Sequence, residues 1–247
     1  MSPEPCGKTL FKAILFDLDG TLLPMDTDQF FERYFRLLIP RFAQLLEPKV
    51  FYQKVVEATG VMINNLDPDL TNEAVFDATF YPSVGLGPEV LKPMFMDFYR
   101  GEFRQLRSVA ATTELSRAIV QKAVEKGMEI ILATNPVFPL IAIEERMRWA
   151  GIHDFPWRLI TSYERMHFCK PHLEYYREIL DLGNLEPSQC LMVGNDLEED
   201  VVAGRLGIKT YLVTDFLIQR GNSLRPDYSG SLADLFAFVE SLPAVGR

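Results

Sequence analysis

Residues 14–23 read Ile-Leu-Phe-Asp-Leu-Asp-Gly-Thr-Leu-Leu. An apolar run this short, stopping at carboxylates, has the length and character of a strand buried on both faces of a parallel sheet. Gly20 then allows a turn that other residues resist, which delivers Asp17 and Asp19 to the carboxyl edge of the sheet, where open α/β folds bind their ligands. Two carboxylates so close repel each other unless a cation bridges them or one keeps a proton, and both outcomes serve chemistry. Asp-x-Asp-Gly also opens calcium loops, but those carry a Glu at the twelfth position, where this chain has Asp28.

The rest of the chain supplies partners for such a strand. Apolar runs of strand length recur at 128–133, 158–161, 190–193 and 209–213. Segments with helical spacing separate them: Leu115 to Lys126, Pro139 to Ala150, Leu173 to Leu182 and Leu197 to Leu206, with a closing helix over Leu232 to Leu242. Gly127, Gly151, Gly183 and Gly207 follow the first four where helix C-caps belong. Alternating strands and helices predict a parallel sheet with crossover helices, a Rossmann-like three-layer α/β core.

From about Asp26 to Leu106 the rhythm breaks. Phe30, Phe31, Tyr34, Leu37 and Leu38 recur at helical spacing after Asp26 and Thr27, either of which suits an N-cap; further helices are predicted over Val50 to Ile63 and from near Glu73 and Glu89. The aromatic stripe is read as packing. This is an inserted helical unit, residues 25–106, within a core made of 1–24 and 107–247. Because it starts directly after the Asp17 turn, it is expected to lie over the carboxyl edge as a cap.

Three other positions reach that same edge. Thr134 and Asn135 end the second strand; a hydroxyl and turn amides there can hold an anion's oxygens, although both residues equally suit a cap for the helix after Pro136. Val193-Gly194-Asn195-Asp196-Leu197-Glu198-Glu199-Asp200 ends the fourth strand in a dense acidic turn. The topology sets that strand end beside the first, so Asp196 is expected to share a cation with Asp17, and an all-oxygen site suits Mg2+. Lys170-Pro171 stands between the third and fourth strands, and an ammonium directed at the acids would neutralise them and bind a phosphoryl oxygen.

Composition narrows the partners. The chain has 247 residues, 48% hydrophobic, enough for a large core, and a net charge of -9 that opposes binding to nucleic acid and to anionic membranes. Cys6, Cys169 and Cys190 are too few and scattered for a disulfide framework, which fits a cytoplasmic protein. Lys8 and Lys12 precede an apolar stretch that Asp17 and Asp19 cut short, so no signal sequence is read and no run reaches membrane-spanning length. Oligomeric state is not encoded legibly.

Asp17-Leu18-Asp19-Gly20-Thr21, Thr134-Asn135, Lys170-Pro171 and the acidic stretch after Val193-Gly194, in this order, resemble the four motifs of the haloacid dehalogenase superfamily of phosphohydrolases, with a helical cap like that of its first subgroup. The resemblance implies a Mg2+-dependent phosphohydrolase acting on a small phosphorylated metabolite. Asp17 would be the nucleophile, forming an aspartyl-phosphate, and Asp19 the acid and base. Gly20, Thr134, Asn135 and Lys170 would hold the phosphoryl group, and Asp17, Asp19, Asp196 and Asp200 the metal. Relatives often read Gly-Asp-Ser where this chain has Gly194-Asn195-Asp196; a gapless match puts Asn195 at the usual metal position, while Asp196 is favoured because a carboxylate binds Mg2+ better than an amide.

Sibling chemistries remain open on the same scaffold. A dehalogenase would ordinarily lack the second carboxylate that Asp19 supplies. A sugar phosphomutase would return the phosphate, a phosphonatase would need a cap lysine such as Lys49, Lys54 or Lys92, and a noncatalytic phosphometabolite-binding protein would keep the fold without turnover. Arg33, Arg36, Arg100 and Arg104 are candidates for a second anionic group. His153, His167 and His172 have no metal-ligand spacing.

Overall fold

A computed structural model describes residues 10–111, 113–221 and 223–246. Cys6 and Lys8 lie outside them. Six parallel strands form one sheet, β1 (Ala13–Phe16), β2 (Glu129–Leu132), β3 (Leu159–Ile160), β4 (Cys190–Gly194), β5 (Lys209–Val213) and β6 (Tyr228–Gly230), in the order β3-β2-β1-β4-β5-β6. β1 therefore sits between β2 and β4, at the point where strand order reverses and a crevice opens beyond the strand ends.

Period-two alternation sorts the strand residues between two apolar layers. Ile14 and Phe16 face one layer with α5 (Glu114–Glu125), α6 (Leu140–Trp149) and α8 (Leu232–Ser241); Ala13 and Leu15 face the other with α7 (Leu173–Gly183). All four residues of β1 are fully buried, and burying a side chain the size of Phe16 stabilises by roughly 2–3 kcal/mol. The expected three-layer α/β core is thus the observed one.

Some local expectations change. Leu197 to Leu206 is not an α-helix: residues 197–200 form turns and Val201–Leu206 a 3-10 helix, because the acids before it hydrogen-bond turn amides instead of starting a regular helix. Gly127, Gly151 and Gly207 do adopt positive φ, but after α7 that conformation falls to Asn184 (φ 47°), with Gly183 still helical. β6 was not expected; its three residues carry too little apolar pattern to register.

Between β1 and β2 lie α1 (Thr27–Phe42), α2 (Pro48–Ile63), α3 (Asn72–Val84), α4 (Pro88–Arg100) and a 3-10 helix (Glu102–Val109). Asp26 caps α1, its carboxylate accepting from the Gln29 amide at 2.9 Å, a contact worth about 1 kcal/mol. The chain leaves and re-enters side by side, with Met25 bridged to Ala110 and the Ala111 amide donating to Pro24 O at 2.8 Å. α3 is pinned to the loops beyond the sheet: the amides of Asn72 and Glu73 donate to Met166 O and Tyr163 O, and the fully buried Asn72 side chain donates to Pro136 O and Phe168 O. Among the described residues no helix is long and apolar enough to cross a membrane, and Cys169 and Cys190 are free and buried.

Candidate active site

Asp17 follows β1 directly, its amide still paired with Val193 O at 2.8 Å, so its position inherits the rigidity of the sheet centre. Gly20 sits at φ 79°, and a Cβ there would come 2.3 Å from Asn195 Nδ2, so a side chain at this position is strained and must displace Asn195. The turn it permits brings the Thr21 hydroxyl to 3.2 Å from Asp17 Oδ2 and 3.0 Å from Asn195 Oδ1. Two oxygens from neighbouring strand ends thereby converge on one small group.

Lys170, 1% exposed and preceding a cis proline, donates to Asp17 Oδ1 at 2.8 Å and to Asp200 Oδ1 at 2.6 Å. Burial opposes its charge, but the Asp17 and Asp200 carboxylates outweigh that and hold the ammonium well above its usual range. Two acids share one base, so a negative charge is left over in a desolvated place; burial pushes the Asp200 carboxyl up to about 6 and Glu199 up to about 7. The other oxygen of Asp200 accepts from the Asp196 amide at 2.9 Å, and Gly194 is required by that packing, since a Cβ there would lie 2.0 Å from Asp200 Oδ2.

Asp19 is turned away from Lys170 toward Arg146 on α6, a guanidinium 1% exposed that ion-pairs with its Oδ2 and lies over the Phe138 ring at 4.6 Å. Burial lifts the Asp19 carboxyl above its ordinary value, with Arg146 opposing. Its Oδ1 is buried without a partner, as is Arg146 Nη2. A carboxyl with a raised proton affinity and one unused oxygen is suited to giving and taking a proton.

Thr134 and Asn135 lie beside this group. Asn135 ties the motifs together, accepting from the Lys170 amide at 3.3 Å and donating to Glu199 at 3.1 Å, while Thr134 is fixed through its carbonyl by the hydroxyls of Thr161 and Tyr175. Asp17, Asp19, Thr134, Asn135, Asn195, Asp196 and Asp200 line one cavity of about 600 Å³, roofed by α1–α4. Lys170 and Gly20 stand behind these residues and shape them.

Asp196 is placed differently from its expected role beside Asp17. Its Oδ1 accepts from the Glu198 and Glu199 amides, and its Oδ2 pairs with Arg220 at 2.7 Å. The amide oxygen of Asn195, not the carboxylate of Asp196, shares Thr21 with Asp17. An acid two residues before a run of free amides is an ordinary turn cap, and that local bond competes with any longer reach. Nor do the arginines Arg33, Arg36, Arg100 and Arg104 line the cavity; Arg36 pairs with Glu32 and Arg104 with Glu145. His167 is bonded to Glu178 and His153 to Arg148.

A family model for haloacid dehalogenase-like hydrolases matches residues 11–207, which spans all four clusters. The chain belongs to that hydrolase family. Across 85% of this chain and 88% of the relative it is 28% identical to a glyceraldehyde 3-phosphate phosphatase of Methanothermobacter thermautotrophicus. Among solved structures it resembles a HAD phosphatase of Thermococcus onnurineus (TM-score 0.61, 15% identity, covering 95% of this chain and 100% of the other) and an L-2-haloacid dehalogenase of Xanthobacter autotrophicus (TM-score 0.57, 16% identity, 94% and 100%). One fold thus carries both chemistries, and the site residues of this hydrolase must decide between them.

Arg146 and Arg220 escaped sequence reading, and Thr21 was read only as part of the first motif. Arg146 left a trace, a charged residue on the same helical stripe as Ala142, Ile143 and Met147, where a lone guanidinium demands a buried partner. Arg220 lies in an irregular segment with no periodicity to mark it.

Proposed function

We propose that this hydrolase releases inorganic phosphate from a phosphate monoester through a covalent intermediate on Asp17, and that residues 25–106 act as the cap over a core of 1–24 and 107–247. The observation that carries the reading is the second carboxylate: Asp19 lines the cavity two residues from Asp17 with a raised proton affinity and an unused oxygen. An ester needs a proton donor for its departing alkoxide, whereas halide leaves without one.

The chemistry follows from the residues. A carboxylate oxygen of Asp17 attacks phosphorus and the ester oxygen departs with the proton of Asp19. Asp19, now ionised and steadied by Arg146, takes a proton from water as that water cleaves the aspartyl-phosphate, restoring both acids. Burial raises the Asp17 carboxyl, and Lys170 opposes that rise and orients the group, while Thr134 with the turn amides takes up charge on the transferring oxygens.

A divalent cation suits the donors: Asp17, the main-chain carbonyl of Asp19 and Asn195 offer hard oxygens only, and Mg2+ is commonly held by one or two carboxylates with water and substrate oxygens completing its shell. Among the described residues no three acidic, His or Cys side chains cluster as a ready-made metal set, so the donors named here include a main-chain carbonyl and an amide oxygen. Bound there, Mg2+ would offset repulsion between the anionic ester and Asp17. We assign Asn195 Oδ1 as the side-chain ligand from the fourth motif in preference to Asp196, because it converges with Asp17 Oδ2 on Thr21 while Asp196 Oδ2 pairs with Arg220, with Asp200 steadying the turn and Lys170.

Lys92 is the cap lysine that reaches the cavity, which raises the phosphonatase alternative. Partial burial opposes its charge, but Asp77 and Glu73 bond it and raise its proton affinity, the reverse of what an imine-forming amine requires. The free, buried thiols of Cys169 and Cys190 agree with a cytoplasmic setting. The test is phosphate release from a panel of phosphorylated metabolites with Mg2+. Release abolished by EDTA and restored by added Mg2+ is expected; release indifferent to EDTA would refute the metal assignment, and transfer without release would favour a mutase.

A further inference from the structure

The cavity that begins at Asp17 and Asp19 is walled on its far side by rings and aliphatic chains of the inserted helices. Phe31 and Phe35 project from α1, Tyr52 and Val56 from α2, and Phe76 and Phe95 from α3 and α4. The walls are braced: Phe31 stacks on Phe138 at 6.0 Å between centroids, and Phe35 meets Tyr52 edge-on at 4.8 Å. Yet Phe31, Tyr52 and Val56 remain 40%, 43% and 45% exposed. Apolar surface left uncovered beside a catalytic cluster marks a place for an apolar ligand.

Gly60 supports this independently. It lies within α2, where glycine costs roughly 1 kcal/mol relative to alanine, and it lines the cavity. A Cβ at Gly60 would meet nothing within 4 Å, and no positive φ requires the glycine. Neither packing nor backbone explains the missing side chain; what its absence does is widen the chamber.

Charge points the same way. The basic side chains lining the chamber are Lys92 and Arg220, and each is bonded to acids, Lys92 to Glu73 at 3.0 Å and Asp77 at 2.6 Å, Arg220 to Asp196. Two acids to one base at the cap end leave a surplus negative charge, which repels a second phosphate or a carboxylate on the substrate.

We infer that the chamber selects the phosphate monoester of a bulky apolar alcohol, of aromatic bicycle size and with no second anionic group, the apolar body lying against Phe31, Tyr52 and Val56 beside Gly60. The inference rests on the phosphatase reading for its phosphate end. Phe31 thereby parts from Phe30 of the same stripe, which is buried packing and does not line the cavity.

The test compares 2-(1-naphthyl)ethyl phosphate with glycerol 3-phosphate and glyceraldehyde 3-phosphate, esters whose alcohols are all alkyl, in turnover and in calorimetric binding to the full chain. Expected is a kcat/KM for the naphthyl ester at least about tenfold above either small ester, with tighter binding in the same order. The Gly60→Leu variant, which fills open space on a helix and should melt no lower than wild type, is expected to lower that ratio at least about fivefold. Equal kcat/KM, preference for a small ester, or an unchanged ratio in G60L would overturn the chamber assignment while leaving the phosphatase reading intact. Selective binding of the naphthyl ester with no phosphate released from any ester would support the chamber and overturn the phosphatase reading.

Discussion

Lys170 Nζ donates to Asp17 Oδ1 at 2.8 Å, so the carboxylate assigned as nucleophile is held by a cation from a loop 153 positions away that also reaches Asp200. Lys170→Met leaves two desolvated acids facing each other. Turnover should fall at least about 100-fold, and stability by about 3 kcal/mol, the cost of stranding a buried charge. Adding Asp200→Asn should recover stability but not turnover, a split that thermal melts and phosphate release together resolve. Equal recovery of both would mean Lys170 serves only folding.

Arg146 and Asp19 form a second pair, which a double-mutant cycle can isolate. Arg146→Met alone strands Asp19 and should destabilise by about 3 kcal/mol. In the Asp19→Asn background the same change should cost much less, giving a coupling energy of at least about 1 kcal/mol. Additive melting shifts would contradict the pairing.

Gly20 tests the turn between the two acids. Gly20→Ala must hold a side chain at φ 79° and displace Asn195, whose amide nitrogen would lie 2.3 Å from the new carbon. The backbone cost is about 1–2 kcal/mol, and a drop of roughly 3–5 °C in Tm is expected for a chain of this size. Activity should fall further than stability explains, at least about 50-fold, because Asn195 and Thr21 are both moved. Assays at a temperature where the variant remains folded separate the two effects.

The edge of the sheet gives a pH dependence away from the site. Burial would raise the Asp227 carboxyl, but bonds from Lys209 Nζ at 2.6 Å and from the amide and hydroxyl of Thr210 outweigh it and hold it below its ordinary value. A carboxylate depressed in the folded state contributes stability that is present above the unfolded pKa and is lost as pH falls through the folded one. Asp227→Asn should therefore lower stability by about 1 kcal/mol at pH 7, and the gap to wild type should close below about pH 4. A gap that persists in acid would assign the effect to packing.

The first strand was legible because its two signals are local: an apolar run of fixed length and carboxylates at its end. Lys170 was legible as an ammonium directed at the acids, though not as the particular pair with Asp17 and Asp200, since the contact between positions 170 and 200 is made by the fold. Asp196 shows where reading stopped. Sequence ranks a carboxylate above an amide as a metal ligand, but the nearest turn amides and Arg220 claim both oxygens of Asp196, and Asn195 is left facing Thr21 and Asp17. The stripe on α1 shows the converse limit: Phe30 and Phe31 are identical in type and adjacent, and only the packing of four helices decides that one is core and the other lines the cavity.

The central assignment is the covalent role of Asp17, and the most direct measurement is Mg2+-supported release of inorganic phosphate by wild type and Asp17→Asn, each purified and matched in circular dichroism and melting. The variant should retain less than about one part in a hundred of wild-type turnover. Turnover by a folded Asp17→Asn at a tenth of wild type or more would contradict the assignment of Asp17 as nucleophile.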